Sequence, residues 1–397
     1  MSELPIDDDA AWEQWGSQWQ LRDDTIYLNH GSFGPPPEPV RRARRQWIDR
    51  LDQQPMDFFL RQWMPALVDA RQRLADFVGT KSDNLAFVDN ATMAMNTLAD
   101  SFPLSTGDEV LLTDHEYEAV VKTWARKCKR VGAKEPVIAK IPFPTDSHDA
   151  IVEAIFDQVT SATKLIVVSD ITSPTAIILP IQQICDRAKE SGVPICVDGP
   201  HAPAQIPLDI DRLNCDFYTA SLHKWLCGSF SSGFLYVHPK HHATIEPQVA
   251  SFGTLPPTAP TQWNEHFMWQ GTRDPSSYLS VPAAIDFMES VGLAAFRART
   301  HYLASYARRR LRESTGLEPV TPDSADWYGS MVLAPLPPGD NMALQIALWE
   351  QFGIEVPVIE FADKRWLRVS CHLYNDTKHL DRLVEAYEWL CVQSGSP

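Results

Sequence analysis

Between Leu85 and Val237 the chain repeats one pattern: a short, continuous apolar run, then a helical stretch, then another apolar run. The runs are Leu85 to Val88, Glu109 to Thr113, Leu165 to Val168, Val193 to Val197, Cys215 to Thr219 and Gly233 to Val237. A strand that buries one face alternates apolar and polar residues, whereas a strand buried on both faces does not. The pattern therefore predicts an α/β fold, a mostly parallel sheet with helices on both faces. Helices are expected over Thr92 to Phe102, Tyr117 to Val131, and from near Pro180 to Gly192. Proline suits a first helical turn and glycine a C-cap.

The pattern changes after a Pro/Thr-rich stretch at residues 256–260. Two helical runs follow Pro282, one to about Val291 and one from Leu293 to Thr315. Strands at Ser330 to Ala334 and Trp366 to Ser370 flank a helix from Asn341 to Phe352, and an amphipathic helix closes the chain over Lys378 to Leu390. This reads as a smaller α+β C-terminal domain. The expected organisation is an N-terminal arm (1–30), a large domain (31–275) and a small domain (276–397). The Pro-rich segment from Gly34 to Pro39 is expected to be an ordered loop rather than a strand.

Composition narrows the function. A net charge of −16 argues against a nucleic-acid partner, because phosphate contacts need Lys and Arg. No apolar run approaches the ~18 residues of a membrane span. The first ten residues are acidic and lack an apolar centre, so they do not read as a secretory signal. The seven cysteines are scattered and include no C-x-x-C, so free thiols in a reducing compartment, the cytoplasm, are expected. The twelve histidines show no metal-ligand spacing, and no metal is expected.

Two strand ends carry the chemistry. Val197-Asp198-Gly199-Pro200-His201 closes one strand with a carboxylate, and Ala220-Ser221-Leu222-His223-Lys224-Trp225 closes another with an amine. That combination suits pyridoxal phosphate: the lysine can form a Schiff base with the aldehyde, and the aspartate can pair with the pyridinium nitrogen. A general-base or nucleophilic lysine must be neutral, which desolvation or nearby cations favour. Asn90-Ala91-Thr92 lies at a strand-to-helix junction, where backbone N–H groups form an anion site. Alone, this segment reads equally well as an ordinary N-cap by Asn90.

The motif order resembles the class V aminotransferase group of fold type I pyridoxal-phosphate enzymes. The matching segments include Leu28-Asn29-His30-Gly31-Ser32-Phe33-Gly34, Asp114-His115-Glu116-Tyr117, the two strand ends above, and Gly271-Thr272-Arg273-Asp274. The likeness runs from about Tyr27 to Leu390, and the first segment resembles the epimerase-like branch. The resemblance implies a three-layer fold, a mostly parallel seven-stranded sheet between helices, with the small α+β domain. It also implies site roles. Lys224, Asp198 and His115 would be catalytic, with His115 stacked on the cofactor ring. Ala91, Thr92, Ser221, His223 and, across a homodimer interface, Thr272 would hold the phosphate. Ser173 and His201 would contact the phenolic-oxygen side. Arg368 would bind the substrate α-carboxylate, with His30 and Tyr117 also at the substrate.

The implied activity is chemistry at the Cα of an amino acid or amino-acid-derived peptide, epimerisation first. Tyr117, His115 or water would supply the second proton. A C–S lyase or desulfurase-like activity and transamination are the alternatives. The persulfide cysteine of desulfurases has no counterpart between Phe352 and Arg365. The intact Lys224, Asp198 and Arg368 set aside a cofactor-free sensor or scaffold. One departure stands out: Ala176 occupies a position where relatives commonly carry glycine.

Overall fold

A computed structural model describes residues 4–251 and 262–393, so the Pro/Thr-rich stretch at 256–260 lies outside the described residues. Twelve strands occur in chain order among those residues. They are β1 (Ile26–Tyr27), β2 (Leu85–Val88), β3 (Glu109–Thr113), β4 (Val137–Ala139), β5 (Thr163–Ser169) and β6 (Ile195–Asp198). β7 (Phe217–Ser221), β8 (Gly233–Val237), β9 (Met331–Leu336), β10 (Ile354–Glu355), β11 (Val358–Phe361) and β12 (Lys364–Ser370) follow.

Seven strands form the central sheet in the order β2-β8-β7-β6-β5-β3-β4. All run parallel except β8, which is antiparallel to both neighbours. The innermost strands are buried along their length, as continuous apolar runs require. Helices cover both faces, and two apolar cores, one per face, share these strands. Parallel strands all deliver their C-terminal ends to one edge, where Asp198 ends β6 and Ser221 ends β7. Ser169 and Asp198 are register partners there. Two glycines tighten this edge. A Cβ on Gly199 would lie 2.0 Å from the Tyr218 hydroxyl, and one on Gly233 would lie 2.8 Å from Asn90 Cα.

The second sheet is antiparallel, ordered β11-β12-β9. The helix Leu293–Thr315 packs on it. The early part of the chain is laced onto this sheet. β1 pairs in parallel with β10, and the Ser370 N–H donates to the Leu28 carbonyl at 2.9 Å. This brings the segment from His30 to Phe33 beside Arg368. Arg299, fully buried, is tied to the Asp9 carboxylate, which also accepts from Thr377.

Four strands escaped the sequence pattern, two of them the two-residue β1 and β10. β4 is a half-exposed edge, and β11 is short and largely outside the core, so neither presents a continuous apolar run. The Gly34–Pro39 segment is a loop only to Pro37, because a helix starts at Glu38 with Pro39 in its first turn. No disulfide joins any of the seven cysteines. Among the described residues no single helix is long and apolar enough to cross a membrane.

Candidate active site

A cavity of about 650 Å³ opens at the C-terminal edge of the central sheet. Of the residues expected at the site, ten line it: Ala91, Thr92, Tyr117, Ser173, Asp198, His201, Ser221, His223, Lys224 and Arg368. A larger cavity of about 930 Å³, lined by Lys81, His242 and Trp263 among others, contains neither strand-end motif.

Lys224 sits on the wall with Nζ 3.0 Å from His201 Nε2. Burial, and then the Arg368 guanidinium, bring its amine down to about 7, against the opposing pull of Asp198. The ammonium form is thus disfavoured near neutral pH, as the chemistry of a basic lysine demands. Asp198 is buried and accepts from Thr219 Oγ1 at 2.6 Å. Burial pushes its carboxyl up to about 6, although Thr219 and Lys224 favour the charged form. Among the described residues nothing bonds its second oxygen, which leaves one carboxylate oxygen for a ligand.

The anion cradle is built at the start of the helix Ala91–Ser101. The Asn90 side chain caps Met93 N–H at 2.9 Å, and Ala91 N–H donates to Ser221 Oγ at 3.0 Å. His223 is brought down to about 4 by burial and by Lys224, and its Nδ1 has no partner.

Arg368 decides what the cavity can bind. Its Nη1 donates to the Ser173 carbonyl at 2.6 Å and its Nη2 to Ser32 Oγ at 2.6 Å, while Nε has no partner. Among the described residues no carboxylate lies within ion-pair distance. Burial alone brings the guanidinium down to about 10, with Tyr117 opposing. A buried guanidinium held only by neutral oxygens retains a strong demand for an anion.

Three expected site residues lie elsewhere. His115 is fully buried behind the wall, with Nδ1 at 2.9 Å from Asp114 and its ring 4.5 Å from that of Phe361. The turn after β3 directs His115 inward. Tyr117, the residue preceding the helix Glu118–Val131, is instead 51% exposed and faces the cavity. His30 is also buried and does not line the cavity. Its Nε2–H donates to the Lys224 carbonyl at 3.1 Å, and its Nδ1 accepts from Tyr374 OH at 2.8 Å. It supports the lysine's backbone, while Gly31, Ser32 and Phe33 reach the wall in its place. Thr272 is exposed and does not line the cavity of its own chain.

Other residues had no signal in the sequence. Glu116 is buried, accepts from Thr113 Oγ1 at 2.7 Å and from Ser169 Oγ at 2.6 Å, and is pushed up to about 7 by burial and by Asp198. Ser169 lines the cavity. His30, Cys227 and His372 bring ligand-type atoms within 4.8 Å of one another. The two imidazoles are stacked at 4.0 Å, and His30 Nε2 is committed to Lys224, so the group reads as a hydrogen-bonded core rather than a metal centre. Ala176 adopts φ of 60°, the left-handed conformation that favours glycine.

These residues fit pyridoxal phosphate on chemical grounds. They provide an amine whose ammonium form is weakened, a carboxylate with an uncommitted oxygen, and a helix start flanked by hydroxyl and imidazole groups. Comparison with known proteins gives the same answer. A profile of the family described as aminotransferase class-V matches residues 57–383. The chain is 37% identical to an isopenicillin N epimerase from Amycolatopsis lactamdurans, covering 96% of this chain and 99% of that one. It is 31% identical to a putative L-cysteine desulfhydrase from Oryza sativa subsp. japonica, covering 90% of this chain and 82% of the relative. In structure it is similar to a cysteine desulfurase from Thermococcus onnurineus NA1, with a TM-score of 0.80 at 19% identity over 96% of this chain and 98% of that one. A cystine C–S lyase in complex with cysteine persulfide gives a TM-score of 0.78 at 21% identity, over 91% and 97% of the two chains.

Proposed function

The chain belongs to the class V aminotransferase family, and we propose that it is a pyridoxal-phosphate epimerase acting at the Cα of an amino acid or amino-acid-derived peptide. The observation that carries this reading is the unpaired, buried Arg368 guanidinium in one cavity with Lys224 and Asp198. Such a site selects a substrate that brings its own carboxylate.

Bound there, the cofactor supplies an electron sink for the pair left at Cα when a proton departs. Ala91, Thr92, Ser221 and His223 would hold its phosphate, and Asp198 would keep a proton at the ring nitrogen. Of the two rings, Tyr117 lines the cavity and His115 does not, so Tyr117 would be the one within reach of the bound group. Arg368 grips the substrate carboxylate in bidentate fashion and fixes which Cα bond is labilised. Lys224 Nζ takes the Cα proton as general base. Inversion requires a proton from the opposite face, and Tyr117 is the only tyrosine on the cavity wall among the described residues. Ser173 and Ser32 hold Arg368 in place. The enzyme acts as a cytoplasmic homodimer, with residues 31–275 as its large domain, 276–397 as its small domain, and Thr272 reaching the partner's phosphate.

Incubating the holoenzyme with a panel of L-amino acids and tripeptides in deuterated water tests the reading. Deuterium at Cα with loss of optical purity supports epimerisation. Release of sulfide and pyruvate from L-cysteine would replace it with the C–S lyase reading, which the desulfhydrase relatives favour. None of the cysteines lines the cavity, so a persulfide relay has no acceptor there. Mixing Lys224→Ala and Thr272→Ala protomers should restore one good site per heterodimer, and a fully active monomer would refute the shared site.

A further inference from the structure

The hydrogen bonds around His201 form a short chain in which each donor is forced. Trp225 Nε1 lies 3.2 Å from His201 Nδ1, and His201 Nε2 lies 3.0 Å from Lys224 Nζ. An indole N–H can only donate, so His201 Nδ1 must be the bare, accepting nitrogen. A neutral imidazole then carries its one proton on Nε2, and that Nε2–H must donate to Lys224. An ammonium has no lone pair with which to accept it. The amine does.

We propose that Trp225 is a positioning residue that acts through His201 to hold Lys224 in its neutral, proton-accepting form. The inference rests on Lys224 being the reacting amine of the proposed epimerase. Trp225 and His201 are both almost fully buried, so water cannot supply a competing donor or acceptor to either ring nitrogen. Burial also keeps His201 itself uncharged, since Lys224, Arg368 and His223 around it all oppose an imidazolium.

The other groups facing Lys224 do not reverse the logic. Arg368, from β12, disfavours the ammonium and Asp198, at the end of β6, favours it. His223 is its chain neighbour, and His30 meets its backbone carbonyl rather than its amine. Only the Trp225–His201 pair acts on the lone pair itself. When Lys224 has taken the Cα proton, the resulting ammonium meets an N–H that it cannot satisfy. The same pair that readies the base therefore also makes its conjugate acid quick to return the proton.

Two measurements test this. In the full-length chain stripped of cofactor, 15N NMR of labelled histidine, assigned through His201→Gln, should show His201 bare at Nδ1 and protonated at Nε2. The opposite tautomer in the unsubstituted protein would overturn the proposal without recourse to any tryptophan variant. Trp225→Phe removes the indole N–H but keeps an aromatic ring. Its Lys224 titration midpoint, read by competitive acetylation and mass spectrometry, should rise by about one unit, the scale of a lost polar contact. The acidic limb of kcat in the holoenzyme should move with it, while Trp124→Phe should move neither. An unchanged midpoint in folded Trp225→Phe would refute the proposal. A Lys224 that titrates like a surface lysine in the unsubstituted protein would instead sink the assignment of Lys224 as the reacting amine.

Discussion

The two ends of the central sheet treat buried charge in opposite ways. At the N-terminal end, Asp216 lies 2.5 Å from Lys240 and 2.8 Å from His241, and Glu109 lies 2.5 Å from Lys134. At the C-terminal end, Asp198, Glu116 and Asp170 are held by hydroxyl and backbone groups, and Arg368 by carbonyl and hydroxyl oxygens. Among the described residues none of these has an ion-pair partner. One end has its charges compensated by protein, while the other leaves compensation to whatever binds. The difference supports the proposed site without reference to any motif, because uncompensated buried charge is costly and persists where a ligand repays it.

The largest test of this contrast is Arg368→Ala. It should lower kcat/KM by about 2–5 kcal/mol, the cost of truncating one side of a buried charge contact. Stability should be unchanged or improved, because an unpaired charge leaves the interior. Arg368→Lys should recover only part of the activity, since an ammonium cannot bind both oxygens in a plane. If truncation instead unfolds the protein and leaves specific activity intact, Arg368 is structural and the contrast fails.

The mirror experiment is Asp216→Asn, expected to cost about 2–3 kcal/mol of stability with little effect on turnover per folded molecule. Burial alone would raise this carboxyl, but bonds from His241 and Lys240 outweigh it and hold it below its ordinary 3.8. Its contribution is therefore full at pH values above 3.8 and is lost as pH falls through the lower folded value. Melting curves across acidic pH should show the unsubstituted protein converging on the variant.

Glu116→Gln tests the sign at the other end. The Glu116 carboxyl is raised from 4.5 to about 7, so the folded state binds the extra proton, and stability falls as pH rises between those values. Glutamine should be nearly neutral at about pH 5 and more stable than glutamate by about 1–3 kcal/mol at about pH 8. Thermal melts of the cofactor-free protein at both pH values would check this. An equal gap at the two would mean that Glu116 is ionised throughout.

The smallest effect is expected at Ala176. Its left-handed backbone beside the Arg368-holding Ser173 should make Ala176→Gly stabilising by about 0.5–1 kcal/mol, partly offset by the freer unfolded chain. A destabilised glycine variant would show that the turn gains more from the alanine methyl than it loses to strain.

Much of the functional edge was legible in the sequence because it follows strands. Asp198, Lys224 and the Asn90-Ala91-Thr92 junction each terminate or succeed an apolar run, and parallel strands bring such ends together. Arg368 came from the family resemblance, since an arginine on a strand does not by itself announce a ligand. The turn after β3 was not legible, because two acids and two rings alternate at Asp114-His115-Glu116-Tyr117, and only backbone direction decides which faces the cavity. His30 lies off the cavity wall for a related reason. Its partner is a backbone carbonyl 194 residues away, and a carbonyl leaves no trace in residue identity. The edge strands β4 and β11 lacked a signal because half-exposed strands need not be apolar.

The tether on the Lys224 carbonyl has a consequence for biosynthesis. Tyr374 is made 344 residues after His30, yet both are needed to complete the support beneath the lysine. A nascent chain that has already exposed Lys224 and the phosphate cradle still lacks Arg368, the β1–β10 pairing and the tyrosine that steadies His30. Tight cofactor capture should therefore wait until translation has passed Tyr374, which makes loading a report on synthesis through the C-terminal sheet. A ribosome-arrested chain halted short of Tyr374 should retain cofactor poorly compared with the released protein.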